Sequence, residues 1–91
     1  MLQVIEEKVC SHYGVRTEDV RGRTTQKKPS MARAMIWYLL HYTVGLSSNE
    51  ISKEYGRDPR TVKLIIAKMK FRLEHDKLLI LDYNYLTKAI L

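Results

Sequence analysis

The chain has 91 residues, 45% hydrophobic and 29% charged, which is enough for one small globular domain and too apolar for a disordered chain. Sixteen lysines and arginines against ten acidic residues give a net charge of +6, which favours an acidic polymer as the partner. The single cysteine, Cys10, excludes an internal disulfide and fits a reducing compartment.

Neither a leader nor a membrane span is predicted. The N-terminus lacks the basic start and apolar run of a signal peptide, and the longest aromatic-aliphatic run, residues 35–40, is too short to cross a bilayer. We therefore expect a cytoplasmic protein with no membrane partner.

The positive charge is concentrated in two segments. Residues 16–33 carry six basic and two acidic side chains, residues 57–73 carry six and one, and the rest of the chain is net negative. Such concentration is typical of a binding footprint, while ordinary solvated surface charge is the alternative interpretation.

The first third of the chain predicts two short helices and a loop. Apolar residues at three- and four-residue spacing predict an amphipathic helix that ends at Gly14. Thr17 is predicted to cap a short helical turn through Val20. Residues 21–28 include no apolar side chain and one glycine, so we expect an exposed basic loop.

A central helix is predicted next. Pro29 and Ser30 are expected to open it, and it should run to about Thr43. Aliphatic residues line one side, and Trp37, Tyr38 and Tyr42 cover much of the rest. A helix that is apolar on nearly all sides belongs at the centre of a core.

A helix-turn-helix is predicted from residues 47–62. Ser47 and Glu50 form a capping box, each able to bond a free backbone N–H at the start of the first helix. That helix should end at Gly56, which can take a left-handed conformation. Asp58 can cap the second helix, and Pro59 suits its first turn.

The second helix of the motif should run from Pro59 to about Glu74, and a last segment, residues 77–91, follows it. The pattern of that segment predicts a final helix, although residues 78–83 also fit a strand.

We expect an all-α bundle of about five helices containing the helix-turn-helix. The domain would span residues 1–76, and residues 77–91 would form an apolar extension of it. The second helix buries one stripe: Val62, Ile65, Ile66, Met69 and Leu73.

The start of the second helix holds the candidate base-reading residues. Arg60 and Lys63 can donate to guanine O6 and N7 in the major groove, and Arg57 in the turn can hold a phosphate. Asp58 can accept from a cytosine amine, although its cap role alone explains it. Thr61 can contact a phosphate or a thymine methyl, or can simply be an early helix residue.

The remaining candidate DNA contacts are basic or lie at a helix start. Ser48 opens the first helix of the motif, where free N–H groups can meet a phosphate, although capping needs no DNA. The basic segment before the core helix suits phosphate or minor-groove contact, with a solvated loop as the alternative. Its candidate residues are Arg21, Arg23, Lys27, Lys28 and Arg33.

No catalytic or cofactor chemistry is predicted. The three histidines are widely spaced and form no metal-ligand pattern, and no glycine-rich phosphate loop or nucleophile motif occurs. We therefore expect a protein that is not an enzyme, with no cofactor, metal or small-molecule substrate.

From about Val4 to Leu73, the chain resembles the C-terminal DNA-binding domain of the bacterial chromosomal replication initiator family, DnaA. MARAMIWYLL is similar to the core helix of that family, and GRDPRTV is similar to its signature. The resemblance implies a helical fold related to the Trp repressor. It further implies duplex binding through the helix-turn-helix, with the basic loop in the adjacent minor groove.

Two departures from the family signature imply a different sequence preference. Pro59 stands where the family has histidine, and Arg60 stands where it has threonine, at positions that contribute to base reading in the family. Tyr55 also replaces a usual glycine. The ATPase module of the family is absent from these residues, so we expect a stand-alone domain.

Two functions remain open at the level of sequence. The first is duplex DNA binding, sequence-specific, in replication or transcription control. The alternative is a protein-interaction module of the same fold that has lost base reading, which Pro59 and the apolar tail favour. The tail must cover either its own domain or a second copy, and we predict a homodimer with the tail at the interface.

Overall fold

A computed structural model describes residues 1–90, which form six α-helices and one π-helical turn. The helices are α1 (Leu2–Tyr13), α2 (Thr17–Arg21), α3 (Lys27–Leu39), α4 (Ser48–Tyr55), α5 (Pro59–His75) and α6 (Lys77–Ile90). The π-helical turn, Leu40–Val44, continues α3 and ends at Gly45. The all-α class is confirmed, and no strand occurs within the described range.

The centre of the molecule is α3, as predicted. Met35, Ile36 and Trp37 are completely buried, and α1, α2 and α5 all pack against this helix. Residues from every helix join one continuous buried core, so the basic segments lie on the surface of a single packed unit.

The start of α2 differs from the prediction. Arg16, not Thr17, is the N-cap residue, and Thr17 is the first helical residue. The Asp19 carboxylate accepts a hydrogen bond from the Arg16 backbone N–H at 3.4 Å. An acidic side chain in the first turn thus takes over the capping that the sequence assigned to the threonine hydroxyl.

The basic loop is also shorter than predicted. Helix α3 begins at Lys27, two residues before Pro29, and Gln26 is its N-cap. Because the N–H groups of the first turn have no partner within the helix, Pro29 is tolerated inside that turn. The loop is therefore residues 22–26, and Lys27 and Lys28 lie on the first turn of α3.

The predicted helix-turn-helix is confirmed, and its helix caps and turn form the hydrogen bonds expected from the sequence. The Ser47 N–H donates to Glu50 Oε1 at 2.9 Å, and the Glu50 N–H donates to Ser47 Oγ at 3.1 Å. Gly56 has a φ of 63°, and the Asp58 carboxylate accepts from the Arg60 N–H at 2.8 Å. Helix α4, the turn at Gly56 and α5 thus form the motif.

The C-terminal segment is a helix, so the strand interpretation of residues 78–83 is wrong. Leu79 and Leu86 of α6 are buried, and α6 packs against α1 and α5. Asp82 accepts from the Tyr13 hydroxyl at 3.2 Å and lies 2.9 Å from His12 Nε2. The tail therefore covers its own domain, and Leu91 lies outside the described residues.

Two side chains of α6 test this packing. Leu86 is fully buried, so Leu86→Ala should destabilise the fold by about 2–5 kcal/mol through lost contacts and a cavity. Lys88 is exposed, and Lys88→Ala should change stability by no more than about 0.5 kcal/mol. Urea unfolding followed by circular dichroism measures both, and equal effects would contradict the packing of α6.

Candidate nucleic-acid interface

The first turns of α5 present several of the predicted site residues together on the surface. Asp58 and Pro59 start the helix, and its first turns bring Arg60, Thr61 and Lys63 to the exterior. The Arg60 side chain is 92% exposed and projects from the molecule. This end of α5 is free to approach a ligand.

Asp58 has the capping role that the sequence predicted. Its carboxylate accepts from the Arg60 N–H and lies 3.5 Å from Arg60 Nε. These two interactions, the backbone hydrogen bond first, lower the pKa of Asp58, so the cap is ionised at neutral pH. Its contact with a cytosine stays a prediction.

The two sides of α5 differ in chemistry. Its inner face buries Val62, Ile66, Met69 and Leu73, while Ile65 of the predicted stripe is only half-buried. Away from this face, Lys63, Lys68 and Lys70 are exposed. The packed face fixes the helix on α3 and α4, and the basic side chains remain in solvent.

An open cleft of about 380 Å³ lies between the π-helical turn and α5. Ser48, one of the predicted contacts, lines it together with Tyr42, Lys63 and Lys70. Tyr42 was expected to cover the core helix but is 50% exposed. A π-helical turn has more residues per turn than an α-helix, and it moves Tyr42 out of the buried register.

Sequence reasoning did not include Tyr42 and Lys70 among the site residues. Lys70 follows Lys63 by seven residues, which is two helical turns, so its place on the same side of α5 was readable from spacing. The exposure of Tyr42 had no such signal, because it depends on the π-helical turn.

Arg21 is engaged inside the molecule. Its Nε lies 3.0 Å from the buried Glu6 carboxylate, and its Nη2 donates to Glu54 Oε2 at 3.1 Å. The guanidinium also lies 4.7 Å from the centroid of the Tyr55 ring. This predicted DNA contact therefore joins α2 to α1 and α4.

Arg33, another predicted DNA contact, does not lie on the surface, since it is only 8% exposed. Its Nε donates to the Val20 carbonyl at 2.8 Å, and its Nη2 donates to the carbonyls of Gly22 at 3.1 Å and Thr24 at 3.3 Å. Burial, with the nearby Arg57 cation, lowers the pKa of the Arg33 guanidinium. The side chain shapes the basic loop.

Arg57 links the loop to the helix-turn-helix. Its Nη2 donates to the same Gly22 carbonyl that Arg33 contacts, and its Nη1 donates to the Tyr55 carbonyl at 3.4 Å. The beginning of the basic loop is therefore held against the turn that precedes α5. This contact brings the two basic segments of the sequence together in space.

Three predicted cations of the first basic segment remain outside this internal network. Among residues 1–90, Arg23, Lys27 and Lys28 are exposed and make no side-chain hydrogen bond or ion pair. In the second segment, Lys63, Lys68 and Lys70 are likewise exposed and form no ion pair among the described residues, and the exposed Arg60 pairs with its neighbour Asp58.

Two other kinds of site find no support in the part of the chain that the structure describes. No group of three or more histidine, cysteine or acidic residues is arranged to hold a metal ion. No helix combines the length and apolar composition needed to cross a membrane.

Comparisons with known proteins agree on one family. The family model described as "Bacterial dnaA protein helix-turn-helix" matches residues 2–68. The chain is 32% identical over 89 residues to the chromosomal replication initiator protein DnaA of Thermoanaerobacter sp. (strain X514), and 30% identical over 89 residues to that of Caldanaerobacter subterraneus subsp. tengcongensis. Each alignment covers 98% of this chain and 20% of the relative, so the chain spans about a fifth of these proteins.

The aligned region extends past the limit expected from sequence. The resemblance was predicted to stop near Leu73, but 89 of the 91 residues align with the relatives. Most of the tail therefore aligns with them too, which agrees with the packing of α6 on the domain.

A comparison of the buried Arg33 with the exposed Arg23 tests whether Arg33 has a structural role. Arg33→Lys keeps the charge but loses the guanidinium that donates to several loop carbonyls at once, so it should destabilise the fold by about 1–3 kcal/mol. Arg23→Lys is the matched control and should be neutral. Thermal unfolding measures both, and an Arg33→Lys variant as stable as the control would contradict the structural role.

Proposed function

Because the chain belongs to the bacterial DnaA helix-turn-helix family, we propose that it binds double-stranded DNA, with α5 in the major groove and the basic loop beside it. Two of the relatives are named as chromosomal replication initiator proteins. We place the proposed activity in replication control for that reason, and it requires no catalytic step by these residues.

One contact carries this proposal: Arg57 in the turn before α5 donates to the Gly22 carbonyl at the start of the basic loop. The two positively charged segments, which are separated by the 23 residues 34–56 in the sequence, thereby lie side by side. A duplex offers a matching ligand, because its grooves and phosphate chains run side by side.

The exposed side chains divide into two groups with different tasks. At the start of α5, we assign the exposed Arg60 and Lys63 as donors to guanine O6 and N7, with the exposed Thr61 between them in the sequence. Around the loop, Arg23, Lys27 and Lys28 supply charge for phosphates or the minor groove.

A further set of contacts is proposed for the cleft beside α5. Ser48 and Tyr42 contribute hydroxyl groups there, and Lys63 and Lys70 contribute positive charge. Hydroxyl and ammonium groups are typical donors to phosphate oxygens, so the cleft suits the DNA backbone on the side of α5 away from the loop.

The arginines with internal partners are assigned a positioning role. Arg21, Arg33 and Arg57 already donate to carboxylates and carbonyls of the domain. Phosphate binding by these side chains would require breaking bonds that shape the loop and the turn. We propose that they hold the DNA-binding elements in place.

The alternative function is protein interaction by a domain of the same fold that has lost base reading. Pro59 at the start of α5 and the apolar residues left exposed on α6 favour it. The free cations around α5 and the loop favour DNA, and the dependence of binding on salt distinguishes the two functions.

Binding to duplex DNA should depend steeply on salt. Each neutralised phosphate contributes about 0.9 to the slope of log K against log salt, so the exposed cations should give a slope several times that value. Mobility shifts with random duplexes across a salt series measure it, and Lys88→Ala on α6 should leave the slope unchanged. No binding at low salt, or a slope near zero, would eliminate the DNA proposal.

The two groups of side chains should give different defects. Arg60→Ala or Lys63→Ala should reduce discrimination among sequences by about 1–3 kcal/mol for each bidentate base contact. The double change Lys27→Ala and Lys28→Ala should weaken binding to all sequences alike. Competition among duplexes measures the ranking, and an unchanged ranking in Arg60→Ala would refute the assignment to base reading.

The homodimer stays a prediction, and the packing of α6 restricts where it can form. The buried face of α6 covers its own domain, so pairing would use the exposed stripe of Leu78, Leu81 and Tyr85. Sedimentation at tens of micromolar should show a dimer that Leu81→Lys converts to a monomer. A monomeric parent chain would rule out this interface.

A further inference from the structure

The side of α5 that presents Arg60 also includes an exposed leucine that no role described so far explains. Leu64 is 54% exposed, although it lies in the middle of a helix whose inner face is completely covered. It follows Arg60 by four residues and precedes Ala67, also exposed, by three. At this spacing, the three side chains lie along one ridge of the helix.

The position of Leu64 next to Arg60 on the helix surface restricts the groups that the leucine side chain can contact. Residues four apart on a helix are surface neighbours, so both side chains face the same part of a bound groove. Leucine neither donates nor accepts a hydrogen bond. In the major groove, the group that an aliphatic side chain can recognise is the C5-methyl group of thymine.

We propose that Leu64 is a specificity-determining residue that contacts a thymine methyl group next to the base pair read by Arg60. This inference rests on the proposed DNA-binding function and adds to it the composition of the preferred site. The two residues are separated by about 6 Å along the helix axis, close to two base-pair steps of about 3.4 Å. The site should therefore contain a thymine within two base pairs of the guanine contacted by Arg60.

The same ridge offers a matched control further along α5. Phe71 is 62% exposed and lies seven residues after Leu64, or about 10 Å further from the start of the helix. Its ring stacks on His75 with centroids 4.2 Å apart. Phe71 therefore has an exposed apolar side chain like Leu64 but lies away from the base-reading end.

The experiment compares thymine with uracil, which differ only in the C5-methyl group. Random duplexes are first selected with the parent chain, and each thymine near the selected guanine is then replaced by uracil. Burial of one methyl group contributes a factor of about four in affinity, so the parent chain should lose about fourfold at one of these positions. Leu64→Ala should bind both duplexes equally, at the level of the parent chain on uracil.

Two further variants establish that the effect belongs to Leu64. Leu64→Met retains an apolar side chain of similar size and should preserve the preference for thymine, and Phe71→Ala should preserve it fully. The inference is overturned if no selected thymine is sensitive to uracil, or if Leu64→Ala keeps the parent's preference. If the parent chain binds duplexes at low salt but enriches no sequence, the role of Leu64 fails alone; if it binds no duplex at low salt, the proposed function fails with it.

Discussion

The arrangement of the helix-turn-helix on the rest of the domain depends on one buried carboxylate. Glu6 of α1 is only 6% exposed and accepts from the Tyr55 hydroxyl at 2.5 Å, while Arg21 Nε lies 3.0 Å from it. A buried charge is costly unless it is paired and hydrogen-bonded, so these partners must stay in place. Because they come from α2 and α4, the carboxylate fixes the first helix of the motif against the N-terminal part of the chain.

The other arginines extend this constraint to the surface. Arg33 donates to carbonyls on both sides of Gly22, and Arg57 donates to the carbonyl of Gly22 itself. Two cations thus converge on one carbonyl group, and their charges are tolerated because the fork of each guanidinium finds several acceptors. These hydrogen bonds together fix the conformation of the loop beside the turn that precedes α5.

Features that depend on local bonds were predictable from sequence. The capping box of Ser47 and Glu50, the left-handed Gly56 and the cap at Asp58 each involve residues within a few positions of one another. Their side chains have one strongly favoured use at a helix end, so the motif and the first residue of α5 were identified correctly.

Features that depend on distant partners were not predictable. An arginine in a basic segment looks the same in sequence whether it faces solvent, as Arg23 does, or bonds to carbonyls, as Arg33 does. Arg21 donates to Glu54, which is 33 residues away in the chain, and Arg57 donates to the Gly22 carbonyl, which is 35 residues away. Likewise, the outward position of Tyr42 follows from the π-helical turn, which periodicity alone does not indicate.

The most direct test of DNA binding by this surface is a titration of the nitrogen-15-labelled chain with a short duplex, followed by amide chemical shifts. We expect the largest changes at Arg60, Lys63 and Arg23, with the exposed face of α1 around Gln3 unchanged. Changes centred on α1, with the start of α5 unaffected at saturating duplex, would contradict binding through the helix-turn-helix and its adjacent loop.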